Sequence, residues 1–169
     1  MGATTGAEGN EPPAQLMRAA VLTVSSSLAR GEGEDVSGPT LVELCREAGL
    51  EVSHEIVSDD REDIAAAIKR LADQERVRFV FTTGGTGLTI DDVTPEATRD
   101  VIDREAPGFA EAIRADSRAH TPLGILTRGV SGIRGRTLVV NFPGNPKAIE
   151  QSWPVVAPTL EHAAATLER

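Results

Sequence analysis

Apolar positions along the 169-residue chain follow two rhythms. Arg18-Ala19-Ala20-Val21-Leu22-Thr23-Val24, Arg78-Phe79-Val80-Phe81 and Thr137 to Asn141 are short, compact and β-prone, the pattern of strands covered on both faces. Leu50 to Val57 alternates well enough to be a further strand. Between these runs the period lengthens. Leu41, Leu44, Cys45 and Ala48 fall on one face of a helix from Thr40 to Ala48, with Gly49 as its stop. Ile64, Ala67, Ile68 and Leu71 mark a second. Thr94 to Arg104, Pro107 to Ala119 and Ala148 to Leu167 read as three more, the last interrupted or kinked by Pro154 and Pro158. Two β-prone pieces, Ile125-Leu126-Thr127 and Val130-Ser131-Gly132-Ile133, flank Arg128-Gly129 as a hairpin or an edge excursion. Strands alternating with helices predict an α/β fold of three layers, a mostly parallel central sheet with helices on both faces. Residues 17–169 form one predicted domain. Residues 1–16, rich in Gly, Ala, Pro and Glu, are expected to be disordered.

Parallel sheets of this kind bind ligands beyond the carboxyl ends of their strands, and four segments of unusual chemistry fall there. The first is Ser25-Ser26-Ser27, three hydroxyls that can donate to an anion or simply form a turn. The second is Asp59-Asp60, where position alone favours Ser58 or Asp59 as the cap of the following helix. The third is Thr83-Gly84-Gly85-Thr86-Gly87 followed by Asp91-Asp92. Its glycines can take positive φ and bring backbone N–H groups to a phosphate, with Thr82, Thr83 and Thr86 adding hydroxyls. Asp91 and Asp92 could hold a hydrated Mg²⁺ against those phosphates; a tight turn with solvated acids is the plain alternative. Thr94 then suits an N-cap, with Pro95 at the first helical position and Glu96 at the positive end of the dipole. The fourth is Pro143-Gly144-Asn145-Pro146-Lys147, in which Asn145 is an N-cap candidate.

Composition removes several alternatives. A formal net charge of -9 argues against a nucleic-acid binder held by a basic surface, and four Phe, one Trp and no Tyr leave little stacking platform. Cys45 is the sole cysteine, so intramolecular disulfides and cysteine-clustered zinc are excluded. His54, His120 and His162 show no ligand spacing. Neither a Walker motif nor a Gly-x-Gly-x-x-Gly after a strand is present. Met1 to Gln15 lacks a signal-peptide pattern and no apolar run approaches bilayer length, so a cytoplasmic protein without a membrane partner is expected. With lysine only at positions 69 and 147, phosphate must be handled by backbone N–H groups, hydroxyls, arginines and metal.

Thr83-Gly84-Gly85-Thr86-Gly87, Asp92-Val93-Thr94-Pro95-Glu96 and Pro143-Gly144-Asn145-Pro146, in this order, resemble the molybdenum cofactor biosynthesis family, specifically molybdopterin adenylyltransferases of the MogA/MoaB type, related to the G domain of gephyrin. The resemblance runs from about Arg18 to the C-terminus and includes Ser37-Gly38-Pro39, Ala106-Pro107-Gly108-Phe109 and Gly132-Ile133-Arg134-Gly135. It implies a homotrimer that uses Mg²⁺ and ATP to place AMP on the terminal phosphate of molybdopterin, with transient contact to molybdenum-insertion proteins. The important acids of that family match Asp59 and Asp92, as catalytic and metal-binding residues, with Asp91 a further metal candidate. Ser25, Ser27, Ser37, Gly38, the Thr83 to Gly87 loop, Pro143, Gly144, Asn145 and Lys147 are the implied substrate contacts. Two positions depart from the pattern: Ser26 stands where Asp is common and Asp91 where Arg is common. A non-catalytic molybdopterin-binding scaffold and a general nucleotide-binding domain are the alternative functions.

Overall fold

The computed structural model describes residues 17–169, so the expectation for residues 1–16 lies outside the described residues. Six strands form one sheet in the order β2-β1-β3-β6-β5-β4. They are β1 Arg18–Val24, β2 Glu51–Val57, β3 Phe79–Thr83, β4 Arg104–Glu105, β5 Ser131–Arg134 and β6 Thr137–Phe142. β2, β1, β3 and β6 are parallel, while β5 runs antiparallel to β6 and β4 antiparallel to β5. The helices are α1 Ser26–Ala29, α2 Ser37–Glu47, α3 Arg61–Lys69, α4 Thr94–Val101, α5 Gly108–His120, α6 Pro146–Val156 and α7 Leu160–Leu167.

Strand alternation divides the core between two faces. Ala19 and Val21 of β1, Phe79 and Phe81 of β3, and Leu138, Val140 and Phe142 of β6 pack with Leu41 and Cys45 of α2, Ile113 of α5, and Ile149 and Trp153 of α6. The intervening residues, among them Ala20, Leu22, Val80 and Val139, face Ile64 and Ile68 of α3 and Ala97 and Val101 of α4. Burying β-branched and aromatic side chains on both faces of the central strands removes apolar surface from water, the main stabilising term. Cys45 belongs to this core; burial pushes its thiol up to about 12, which leaves it unreactive.

Several local expectations are corrected by tertiary contacts. The first long helix starts at Ser37, ahead of the expected Thr40, because Asp35 Oδ1 accepts the Gly38 N–H at 3.0 Å and folds the turn into the helix. Residues 122–126 form a 3-10 turn, and the hairpin joins β5 to β6 through Gly135, with none around Arg128. The helix beginning at Thr94 ends at Val101, three residues short of Arg104, which enters the sheet as β4. Pro158 falls in a 3-10 turn that separates α6 from α7, whereas Pro154 is accommodated inside α6.

Candidate active site

Register brings the four carboxyl ends level. Val24 pairs with Val57, Thr83 with Thr23, and Phe142 with Thr83. Chain order reverses about β1, since β2 lies on one side and β3 on the other, so the crevice between the ends of β1 and β3 is a topological switch point. All four predicted segments open there, although they are far apart in sequence.

The glycine loop has the conformation its residues allow. Gly84 and Gly85 take φ of +98° and +69°, the left-handed region that side chains rarely enter. Gly87 does not take positive φ, contrary to expectation. It is small for another reason, because a Cβ there would lie 2.8 Å from Asp92 Oδ2. Thr94 is also corrected: it is the first residue of α4, after Val93, and not the cap. Its buried hydroxyl donates to Gly84 O at 2.9 Å, and its N–H to Gly85 O at 3.1 Å. The loop is thereby fastened to the helix that follows it. The Thr83 hydroxyl donates to Pro143 O at 2.8 Å, and Thr82 Oγ1 accepts from Asn141 Nδ2 at 2.9 Å. These hydroxyls tie strand ends together inside the protein.

An arginine that the sequence patterns did not single out completes the loop. Arg128 donates through its backbone N–H to Thr86 O at 2.8 Å, through Nε to Gly87 O at 2.8 Å, and through Nη2 to Asp92 O at 2.6 Å. Nη1 pairs with Glu96 of α4. The Arg128 guanidinium holds the Glu96 carboxyl below its ordinary range, and Glu96 in turn raises Arg128. No periodicity or motif marks Arg128; only the fold brings it to this loop.

Asp59 and Asp92 line one cavity of about 580 Å³, together with Ser25, Ser26, Ser27, Gly85 and Asp91. Neither acid is spent on capping α3, because that task falls to Asp60, whose Oδ1 accepts from the N–H groups of Glu62 and Asp63 at 2.9 and 3.0 Å. Asp59 Oδ1 instead accepts from the Ser26 hydroxyl. Asp92 Oδ2 accepts from Thr89 N–H at 3.0 Å and Thr89 Oγ1 at 2.8 Å. Each carboxylate keeps its other oxygen outside these bonds. No group of three metal-ligating side chains occurs among the described residues. Two carboxylates with a free oxygen each, beside a glycine loop, do fit Mg²⁺, which takes few protein ligands and completes its shell with substrate oxygens and water.

A second cavity of about 320 Å³ shares Val24 and Ser25 with the first and is lined by Ser37, Thr83, Gly84 and Gly144. Ser25 also caps α1 through Leu28 N–H at 3.3 Å. Thr86, Gly87, Gly38, Pro143, Asn145 and Lys147 line neither cavity. Asn145 caps α6, its Oδ1 accepting from Lys147 and Ala148, as its position suggested. Gly38 lies over Asp35, His54 and Thr23, and a Cβ there would meet all three within 2.5 Å. That polar cluster, with His54 Nε2 2.9 Å from Thr23 Oγ1 and 3.2 Å from Asp35 Oδ2, supports the Ser37 turn from below and was not legible in the sequence.

A family model described as "Probable molybdopterin binding domain" matches residues 20–162. The chain is 37% identical over 151 residues to a molybdopterin adenylyltransferase of Helicobacter pylori strain J99, covering 88% of this chain and 86% of that one. It is 36% identical over 139 residues to a molybdopterin adenylyltransferase of Escherichia coli K12, 80% of this chain and 71% of that one. Among solved structures, the molybdopterin biosynthesis enzyme MoaB of Thermus thermophilus has a TM-score of 0.84 at 41% identity, covering 90% of this chain and 96% of that one. Motifs, sheet order and these matches agree: the chain belongs to the molybdenum cofactor biosynthesis family, with a molybdopterin-binding fold of the MogA/MoaB type.

Proposed function

We propose that this protein is a molybdopterin adenylyltransferase, transferring AMP from ATP to the terminal phosphate of molybdopterin and releasing pyrophosphate. The observation that carries the reading is the meeting of Asp59 and Asp92, from the segments that follow β2 and β3, in one cavity beside the glycine loop. The names of the relatives at 36% and 37% identity support it.

In this reading a phosphate oxygen of molybdopterin forms a bond to the α-phosphorus of ATP, and the bond from that phosphorus to the bridging oxygen of the β-phosphate breaks. A phosphate monoester has a second pKa of about 6, so the nucleophile is already ionised at neutral pH and no side chain has to take a proton. The protein's task is positioning and charge stabilisation. Gly84 and Gly85 offer backbone approach to the phosphates, with the loop held rigid by Thr94 and Arg128. Asp59 and Asp92 would hold Mg²⁺, which when bound neutralises charge on the phosphate oxygens. A homotrimer could draw on the exposed apolar side chains of Leu123, Ile125 and Leu126. A cytoplasmic location is part of this reading, and among the described residues no helix is long and apolar enough to cross a membrane.

The test is incubation with molybdopterin, ATP and Mg²⁺, followed by detection of adenylylated pterin and pyrophosphate. Binding of molybdopterin without product would select a scaffold role. ATP binding without molybdopterin binding would select a general nucleotide-binding domain.

A further inference from the structure

Three carboxylates, Asp59, Asp91 and Asp92, line the larger cavity, and among its described lining residues Arg30 is the one cation. A site of that charge repels phosphates unless cations enter it. The other cations near the site are not free for the task. Arg128 is committed to Gly87, Asp92 and Glu96, and Lys147 borders neither cavity.

Arg30 is the C-terminal cap of α1 and turns its guanidinium to Glu32, with Nε 3.1 Å from Oε1 and Nη2 3.2 Å from Oε2. The two side chains are 61% and 62% exposed. An ion pair so open to water is weak, because solvent screens the attraction and holding two long side chains costs entropy. A bidentate guanidinium contact to a doubly charged phosphate is the stronger interaction. Exchange of one anion for the other is therefore favourable when a phosphate arrives.

We propose that Arg30 is a phosphate-binding residue of this site, resting on Glu32 until an anionic substrate enters the cavity. The proposal rests on the adenylyl-transfer reading and deepens it. The phosphate can be the polyphosphate of ATP or the monoester of molybdopterin, and the same chemistry serves both.

Calorimetric binding of ATP, pyrophosphate and molybdopterin, each with and without Mg²⁺, to wild type, Arg30→Gln, Arg30→Lys and Glu32→Gln separates the cases. Arg30→Gln should weaken the phosphate it meets by about tenfold or more, and Arg30→Lys should recover only part of that, since a point charge replaces a fork. Glu32→Gln should tighten binding about twofold at low salt by releasing the guanidinium. Loss for ATP and pyrophosphate alone assigns Arg30 to the nucleotide; loss for molybdopterin alone assigns it to the monoester. Arg30 is exposed, so unchanged melting temperatures serve as the check on folding. If Arg30→Gln binds all three within twofold of an active wild type, Arg30 has no such role and adenylyl transfer still stands. If wild type binds neither ATP nor molybdopterin, both readings fall together.

Discussion

Ser26 and Asp59 hold each other: the Ser26 hydroxyl donates to Asp59 Oδ1, and the Asp59 backbone N–H donates to Ser26 Oγ at 3.0 Å. The pair joins the start of α1 to the loop after β2 and orients a carboxylate proposed to hold metal. An aspartate at position 26 would set a second carboxylate against Asp59, whereas serine supplies a neutral donor. Ser26→Ala should lower stability by about 1 to 2 kcal/mol, the scale of the two hydrogen bonds it removes, and turnover by about five- to tenfold. Urea unfolding and steady-state kinetics measure the two effects, and undiminished turnover would show that Asp59 needs no such support.

Removing either acid of the cavity should separate activity from stability. Asp60, not Asp59, caps α3, so Asp59→Asn leaves that cap intact. Asp92→Asn keeps an oxygen for the Thr89 donors. Both variants should melt near wild type yet lose about a hundredfold or more in turnover, as expected when metal-assisted charge stabilisation is lost. Near-normal rates at saturating Mg²⁺ would withdraw the metal assignment.

Asp91 is exposed but lines the same cavity as Asp59 and Asp92. Its negative charge should weaken ATP binding when Mg²⁺ is scarce and make affinity depend steeply on the ion. Asp91→Arg should therefore bind ATP more tightly at low Mg²⁺ and converge on wild type at high Mg²⁺. Titrations at fixed ionic strength provide the comparison; parallel curves would mean that Asp91 is only a solvated loop residue.

The Glu96–Arg128 pair should make the glycine loop sensitive to acid. Hydrogen bonding to Arg128 lowers the Glu96 pKa below its unfolded value. Its contribution is thus fully present above the ordinary glutamate range of about 4.3 and is lost as pH falls through the lower folded value. About a third of each side chain is exposed, at 32% and 34%, so screening keeps the contribution to about 1 kcal/mol or less. The stability difference between wild type and Glu96→Gln should be largest near pH 7 and shrink as pH falls below the ordinary glutamate range. Calorimetry across that range provides the measurement. Asp73 and Asp100 also carry lowered pKa values from their arginine partners, and taking the difference between the two proteins removes their contribution.

The absence of a required base predicts a flat profile on the alkaline side. A monoester nucleophile is mostly ionised above its second pKa of about 6, so the single-turnover chemical step should change little from pH 7 to 9. A rate that climbs about tenfold per pH unit through that interval would reveal a proton acceptor among the site residues.

The alternation of strands and helices, the two-faced core and the four polar segments at strand ends were all legible in the order of residues. These rest on local rules: side-chain period, glycine and proline punctuation, and capping chemistry. Phe79, Val80 and Phe81 read as a buried strand because the run is short, apolar and β-prone and stops at glycines, and Asn145 read as a cap because a side-chain oxygen and a following proline suit a helix start. Which polar groups meet was settled in three dimensions. Whether Asp59 or Asp60 caps α3 depends on one residue of backbone geometry, and that choice leaves Asp59 for Ser26. Gly87 looked like its neighbours but is small because Asp92 folds back against it. Arg128 carries no local signal, since a guanidinium on a long flexible stem finds its partners across space and leaves no period in the chain. Strand order brought distant loops to one crevice, and hydrogen bonding between those loops settled which of their acids remain open to a ligand.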